Sequence, residues 1–414
     1  MKACIHTYES SACISLTSSF LCALACTRTT CVRCVRARVC LYLSVGASQW
    51  FRDGLFSALD RTRRALADYV NAPDVNDIVF VDNASAGVNA VLRSMQFDGD
   101  RDTVMLMDIT YPMTRNAATI SDEVDQRYKV MYMDANLPCS DAEIVQRVAS
   151  FLDMHSKIRL IEVSHITSVP AVLLPIKEII AECRKRDVLI LIDGAHALGQ
   201  VPINLVELDP DFYVANGHKW LYSSRGSGFL YVRRSLQATV FPPIISSRAN
   251  HTQSFQMQWG YLGTKDYCHY LTILDALEFR KHLGGDDAIA TYLHGLCVRG
   301  GDLCAEAWGT EKLVSDSQTA AMTNIQLPAC AVQSCTVIAD RLMRDYACYV
   351  PIFEYRGTLY CRVSAALYNG LSDYEYLATS MRKLITTLNE ENDIDGGGLQ
   401  QPAAEIQTAS ATKA

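Results

Sequence analysis

The chain has 414 residues, of which 49% are hydrophobic and 20% charged, with a formal net charge of -7. That length exceeds one ordinary core, so a large domain with a smaller partner is expected. The acidic balance, with no basic stripe in the body of the chain, argues against a nucleic-acid partner. No stretch reaches the roughly 18 uninterrupted apolar residues of a membrane span.

The start of the chain differs from the rest. Seven of the 16 cysteines (Cys4, Cys13, Cys22, Cys26, Cys31, Cys34 and Cys40) fall in the first 40 residues, and Glu9 is the only acid in residues 1–47. This Ser-, Thr- and Arg-rich segment has the composition of a transit peptide, residues 12–25 have the apolar run of a secretory signal, and a mis-assigned translation start is a third reading. Residues 1–47 are therefore expected to stand outside the fold. The chain is expected to be cytoplasmic, or mitochondrial if that segment is a true transit peptide. The remaining nine cysteines are scattered singly among apolar neighbours, as reduced thiols of a cytosolic enzyme would be. Cys31-Val-Arg-Cys34 lacks a matching pair at finger spacing, so no metal is expected.

Regular patterning begins near Trp50. Residues 55–70, with Leu59, Ala65, Leu66 and Tyr69 on one face, read as an amphipathic helix. A short strand at 77–81 leads into Asp82-Asn83-Ala84-Ser85-Ala86-Gly87, which opens a helix reaching Met95. Strand-like runs recur at 103–107, 128–133, 158–163, 188–192, 212–215 and 228–232, alternating with helices such as 141–154 and 176–186. This alternation predicts an α/β architecture, a mostly parallel sheet covered on both faces, with the ligand outside the carboxyl ends of the strands. A helix over 270–283 leads out of the large domain, residues 320–362 read as strand, helix, strand, and a tail rich in Gly, Gln, Ala and Thr begins near Glu390. The expected division is 48–285, 286–390 and a disordered 391–414.

The chemistry concentrates in residues 189–232. Asp193 closes one apolar strand and His218-Lys219 follow the next. A carboxylate buried at a strand end can stay ionised and hold a proton on a pyridine nitrogen, and a lysine among polar neighbours can form an imine with an aldehyde. The two lie 26 residues apart across one helix-loop-strand unit, so both can reach the same edge of the sheet.

This stretch resembles the class V aminotransferases, a group of fold-type I pyridoxal 5'-phosphate enzymes, and looks closest to the branch named for isopenicillin N epimerase. The resemblance covers residues 55–388. It implies a mostly parallel seven-stranded sheet in the large domain, a small α/β C-terminal domain, pyridoxal 5'-phosphate as cofactor, an amino-acid substrate, and a homodimer with shared active sites. In the family pattern Lys219 carries the cofactor, Asp193 pairs with its ring nitrogen, and His196 lies against the ring or its O3'. Asn83-Ala84-Ser85-Ala86-Gly87 is similar to the family's phosphate-binding turn, placing Ala84 and Ser85 at the phosphate; an ordinary helix cap is the alternative reading. Asn216 and His218 match phosphate-contacting positions. Tyr111 matches the aromatic residue stacked on the ring, unless it is a core tyrosine. Ser168 stands where cysteine desulfurases have an Asn that bonds O3'. Gly263-Thr264-Lys265-Asp266 resembles a turn that gives the Thr264 hydroxyl to the phosphate of the neighbouring subunit. Arg362, in Arg-Val-Ser-Ala-Ala-Leu-Tyr-Asn, matches the arginine that grips the substrate carboxylate with its planar fork.

A persulfide-forming desulfurase carries a mobile cysteine before the strand of this arginine, and residues 351–360 contain none. The expectation is a β-lyase that cleaves a carbon–sulfur bond of cysteine or an S-substituted cysteine. The other readings are an epimerase of the isopenicillin N epimerase type and an aminotransferase. The family's opening Asn-Gly loop is missing here, so the non-enzyme reading is an inactive relative of the fold.

Overall fold

The computed structural model describes residues 50–99, 101–247 and 253–394. The expectations for residues 1–47, including the leader-like run and the Cys31/Cys34 pair, lie outside the described residues, as does everything after Ile394.

After a π-helical turn at Trp50–Gly54 the order is α1 (Leu55–Tyr69), β1 (Ile78–Val81), α2 (Ala84–Ser94), β2 (Thr103–Met107), α3 (Pro112–Glu123), β3 (Lys129–Met133), α4 (Asp141–Met154) and β4 (Ile158–Ser164). Then come α5 (Ile176–Arg184), β5 (Leu189–Asp193), the single turn α6 (Leu205–Leu208), β6 (Phe212–Asn216), β7 (Gly228–Val232), α7 (Phe255–Gly260) and α8 (Cys268–His282). The C-terminal part is α9 (Asp286–Trp308), β8 (Met322–Gln326), α10 (Cys335–Tyr346), β9 (Ile352–Tyr355), β10 (Thr358–Ser364) and α11 (Leu371–Ile394).

Seven strands form one sheet in the order β1-β7-β6-β5-β4-β2-β3. The five strands from β6 to β3 run parallel, while β7 is antiparallel to both β6 and β1. The sheet strands of residues 189–216 read as near-continuous apolar runs because both faces are covered. On one face Val104, Leu106, Leu160, Leu191, Phe212 and Val214 pack with Val88, Val91 and Leu92 of α2. On the other, Met105, Ile161, Val163, Ile190, Ile192 and Tyr213 join a cluster that continues into Ile325, Leu342 and Val363. The seven-stranded sheet therefore shares a core with the antiparallel three-stranded sheet β8-β10-β9.

α2 lies close against β6 at Gly87, where an added Cβ would come within 2.5 Å of Val214 Cγ2. Glycine there brings the N-terminus of α2 down to the carboxyl ends of β5 and β6.

Two expectations need correction. The region 320–362 is strand, helix, strand, strand: the second run is a hairpin folded at Arg356-Gly357, whose φ values of +50° and +76° suit a tight primed turn. Apolar patterning alone does not reveal that break. The tail does not begin near Glu390, because α11 continues to Ile394 and Arg341 of α10 anchors it by an ion pair of 2.9 Å to Glu391. The acidic run read as the start of disorder is the last turn of a packed helix. Among the described residues no helix is long and apolar enough to cross a membrane.

Candidate active site

The carboxyl ends of β4, β5 and β6 and the N-terminus of α2 surround a cavity of about 260 Å³. Ala84 and Ser85 line one side, Asp193, His196 and Lys219 another, and Tyr111, Ser168, Asn216 and His218 complete the wall with Ser164, Met113 and Ile166. Nine residues predicted from sequence thus meet in one place.

Asp193 is the last residue of β5 and only 4% exposed. Its Oδ1 accepts the N–H of Ala195 at 2.8 Å, a local turn that aims the carboxylate into the cavity. Burial raises its pKa, which the Ala195 N–H and the positive charge of Lys219 oppose. Lys219 follows β6 through the turn Gly217-His218, and burial pulls its ammonium down to about 8 against the attraction of Asp193. Its Nζ lies 3.0 Å from His196 Nε2, and the indole N–H of Trp220 donates to His196 Nδ1 at 3.2 Å. Burial, reinforced by Lys219 and Arg362, holds the His196 imidazole well below its usual pKa, so it is neutral.

The helix entrance is organised by two asparagines. Asn83 caps α2 by accepting the Ala86 N–H at 2.9 Å, and Asn216 Oδ1 accepts the Ala84 N–H at 2.8 Å. The second bond ties the end of β6 to the helix N-terminus, whose dipole favours an anion. The cap reading holds here, and Ser85 lines the cavity as part of the capped turn. His218 bonds the Ser227 carbonyl through Nδ1 at 3.0 Å. Tyr111 is 43% exposed, so it is an aromatic ring at the rim and not a core tyrosine.

Ser168, which lines the cavity, also holds Arg362. Its carbonyl and hydroxyl accept from Arg362 Nη1 at 2.9 and 3.3 Å. Arg362 projects from β10 and is not in the cavity wall, yet its charge depresses the pKa of both Lys219 and His196. Its Nε is buried with no partner among the described residues. Thr264 is exposed, bonded to the Tyr261 hydroxyl at 3.2 Å, and does not reach the cavity of its own chain. Its turn is fastened by Lys265, which pairs with Asp82 just before the cap of α2.

Three contributors went unnoticed in the sequence. Trp220 orients His196. Arg280, 2% exposed, donates from Nη1 to the Trp220 carbonyl and from Nη2 to the Gly199 carbonyl, both at 2.9 Å, clamping together the loops that carry Lys219 and His196. Glu162, fully buried on the same face of the sheet as Asp193, accepts from Thr110 at 3.1 Å and has an unpartnered Oε1. Burial, with the negative charge of Asp193, raises its pKa well above the usual carboxylate value. An acid inside the apolar run Leu160-Ile161-Glu162-Val163 was the available signal.

Comparison with known proteins fits this arrangement. The family described as "Aminotransferase class-V" matches residues 51–279. The chain belongs to the class V aminotransferase family. It is 30% identical to the putative L-cysteine desulfhydrase 1 of Oryza sativa subsp. japonica, over 79% of this chain and 74% of that one. It is 26% identical to the hercynylcysteine sulfoxide lyase of Schizosaccharomyces pombe, over 77% and 82% of the two chains. Among solved structures, the C-DES mutant with glycine covalently linked to its pyridoxal phosphate cofactor has the same fold, with a TM-score of 0.72 and 19% identity over 84% of this chain and 92% of that one.

As a class V enzyme the protein uses pyridoxal 5'-phosphate, and its residues fit that cofactor. The buried, ionisable Asp193 calls for a partner that brings a positive N–H. The α2 N-terminus offers an anion site at the opposite wall, with Lys219 lining the cavity as well.

Proposed function

We propose that the chain is a carbon–sulfur β-lyase acting on cysteine or an S-substituted cysteine, converting it with water to pyruvate, ammonia and sulfide or a thiol. The observation that carries an amino-acid substrate is Arg362: a half-buried guanidinium whose buried Nε has no partner among the described residues, and whose charge acts on His196 and Lys219, calls for a carboxylate. Bound pyridoxal phosphate supplies the electron sink that weakens the bonds at the α-carbon. The chain does the rest. With the cofactor bound, Asp193 would hold the ring nitrogen protonated, Ala84, Ser85 and the α2 N-terminus would take the phosphate together with Asn216 and His218, and Tyr111 and His196 would bind the ring. Lys219 Nζ would take the α-proton, and Arg362, steadied by Ser168, would hold the α-carboxylate.

Sulfur handed to a chain cysteine is disfavoured by the thiols themselves. Cys361 is fully buried in β10, and burial raises the thiols of Cys335 and Cys348, the others nearest in sequence. Desulfhydrase and sulfoxide-lyase relatives support the lyase reading. The test is to incubate the enzyme with amino acids, cysteine S-conjugates and sulfoxides. Pyruvate is expected, released with sulfide from cysteine, a thiol from S-conjugates or a sulfenic acid from sulfoxides; keto acids with the substrate skeleton intact, or inverted stereocentres without pyruvate, would overturn the lyase in favour of transamination or epimerisation.

Arg362→Lys keeps the charge and loses the fork. A bidentate charged contact contributes about 1.5–3 kcal/mol, so kcat/KM for amino acids should fall about tenfold to a hundredfold with the bound-cofactor spectrum unchanged. Amines lacking a carboxylate should be indifferent. Normal processing of amino acids by this variant would place the carboxylate site elsewhere.

The exposed Thr264 supports a homodimer in which its hydroxyl completes the partner's phosphate site. Mixing Lys219→Ala and Thr264→Ala chains under subunit exchange should then restore one intact site per mixed dimer, about a quarter of wild-type sites at equal mixing. No recovery above the separate variants would show that Thr264 does not act across subunits.

A further inference from the structure

We propose that Trp220 is a positioning residue that locks His196 in the Nε2–H tautomer, so that the imidazole donates to the Lys219 amine and cannot accept from it. The argument begins with the indole nitrogen, which is a donor and never an acceptor. Its N–H points at His196 Nδ1 across 3.2 Å, so Nδ1 must present a lone pair. A neutral imidazole has one ring proton, which therefore sits on Nε2. Nε2 lies 3.0 Å from Lys219 Nζ, and a hydrogen bond at that distance requires a lone pair on Nζ. Only the neutral amine has one. A lysine ammonium would set N–H against N–H, so the indole bond disfavours the charged lysine at one remove.

The other groups around Lys219 do not supply this. Asp193, from the end of β5, favours the ammonium; Arg362 from β10 and burial oppose it; His218, next in the chain, bonds the Ser227 carbonyl instead. Trp220 is itself held, 8% exposed, with its carbonyl gripped by Arg280. The lock thus answers a specific conflict: the carboxylate needed beside the cofactor ring also stabilises the unreactive form of the lysine, and the fixed tautomer counters it. A freely flipping imidazole would accept from the ammonium and side with Asp193.

The proposal rests on Lys219 as the cofactor lysine for its purpose, but its test needs neither cofactor nor substrate. The full-length chain, reversibly stripped of cofactor, is labelled at Lys219 by formaldehyde and cyanoborohydride across a pH range, with the product read by peptide mass spectrometry. Nitrogen-15 spectra of labelled histidine report the His196 tautomer in the same sample. The native protein should show the Nε2–H form. Trp220→Phe keeps a ring and removes the donor; the labelling midpoint should rise by about one pH unit, slowing labelling at pH 7 about tenfold. In a His196→Phe background, Trp220→Phe should move the midpoint no further, since no ring nitrogen is then left to lock. An unmoved midpoint in Trp220→Phe, or an Nδ1–H signal in the native chain, overturns the proposal. If melting curves show that Trp220→Phe does not fold, the native tautomer decides alone. Cofactor attachment elsewhere than Lys219 would refute the function assignment and leave this result readable.

Discussion

Lys219→Ala should abolish the borohydride-reducible bond between chain and cofactor and lower turnover by about 10⁴-fold, the upper range for loss of a general base. No other lysine lines the cavity among the described residues. Mass spectrometry of the reduced, digested protein checks it, and a cofactor-modified peptide surviving in the variant would reassign the lysine. The native protein carries a pH signature of the same residue. Because burial brings Lys219 down to about 8, its neutral fraction grows as pH rises through that value and falls tenfold per unit below it. Cofactor reloading should follow that curve and level off above it.

Asp193→Ala should weaken cofactor binding and reduce kcat by about 10²–10³-fold, the usual loss when one preorganised electrostatic partner is removed. The ring nitrogen would lose the charge that keeps it protonated. Equilibrium binding and turnover measure the two effects; normal turnover would make Asp193 only the acceptor for Ala195. The isosteric Asp193→Asn gives a stability test of opposite sign. The folded carboxyl has a raised pKa, so it binds its proton more tightly than in the unfolded chain. That contribution is present below the ordinary carboxylate pKa and is lost as pH rises through the raised one. Above that raised pKa the cofactor-free native chain bears a charge that burial disfavours more than the Ala195 N–H and Lys219 favour it, so Asp193→Asn should raise its Tm there while its cofactor affinity drops. A lower Tm would show that the carboxylate is satisfied without the cofactor.

What could be read in advance follows from the range of the forces involved. Apolar runs bounded by polar turns mark β2, β4, β5, β6 and β7 because each strand is buried on both faces. Asn83 is legible as a cap because capping is a bond between near neighbours. Lys219 and Asp193 stand out because each puts a charge at, or just beyond, the end of a buried strand. The hairpin at Arg356-Gly357 was missed since a two-residue turn leaves the apolar pattern around it unbroken, and the end of α11 was missed because an ion pair from Arg341, 50 residues earlier, decides it.

By itself, then, the sequence determined the alternation of strands and helices in the large sheet, the family resemblance, and the kinds of residue that arrive at the strand ends, since periodicity and capping act over a few residues. Only the tertiary structure decided that β7 lies antiparallel between β1 and β6, and that Ser168 braces Arg362. It alone showed that Arg280 clamps the lysine loop to Gly199, and that the Trp220 indole N–H meets His196 Nδ1. These are contacts between residues far apart in the chain, or between side chains whose directions the packed core sets, and donor and acceptor roles exist only once both partners are in place.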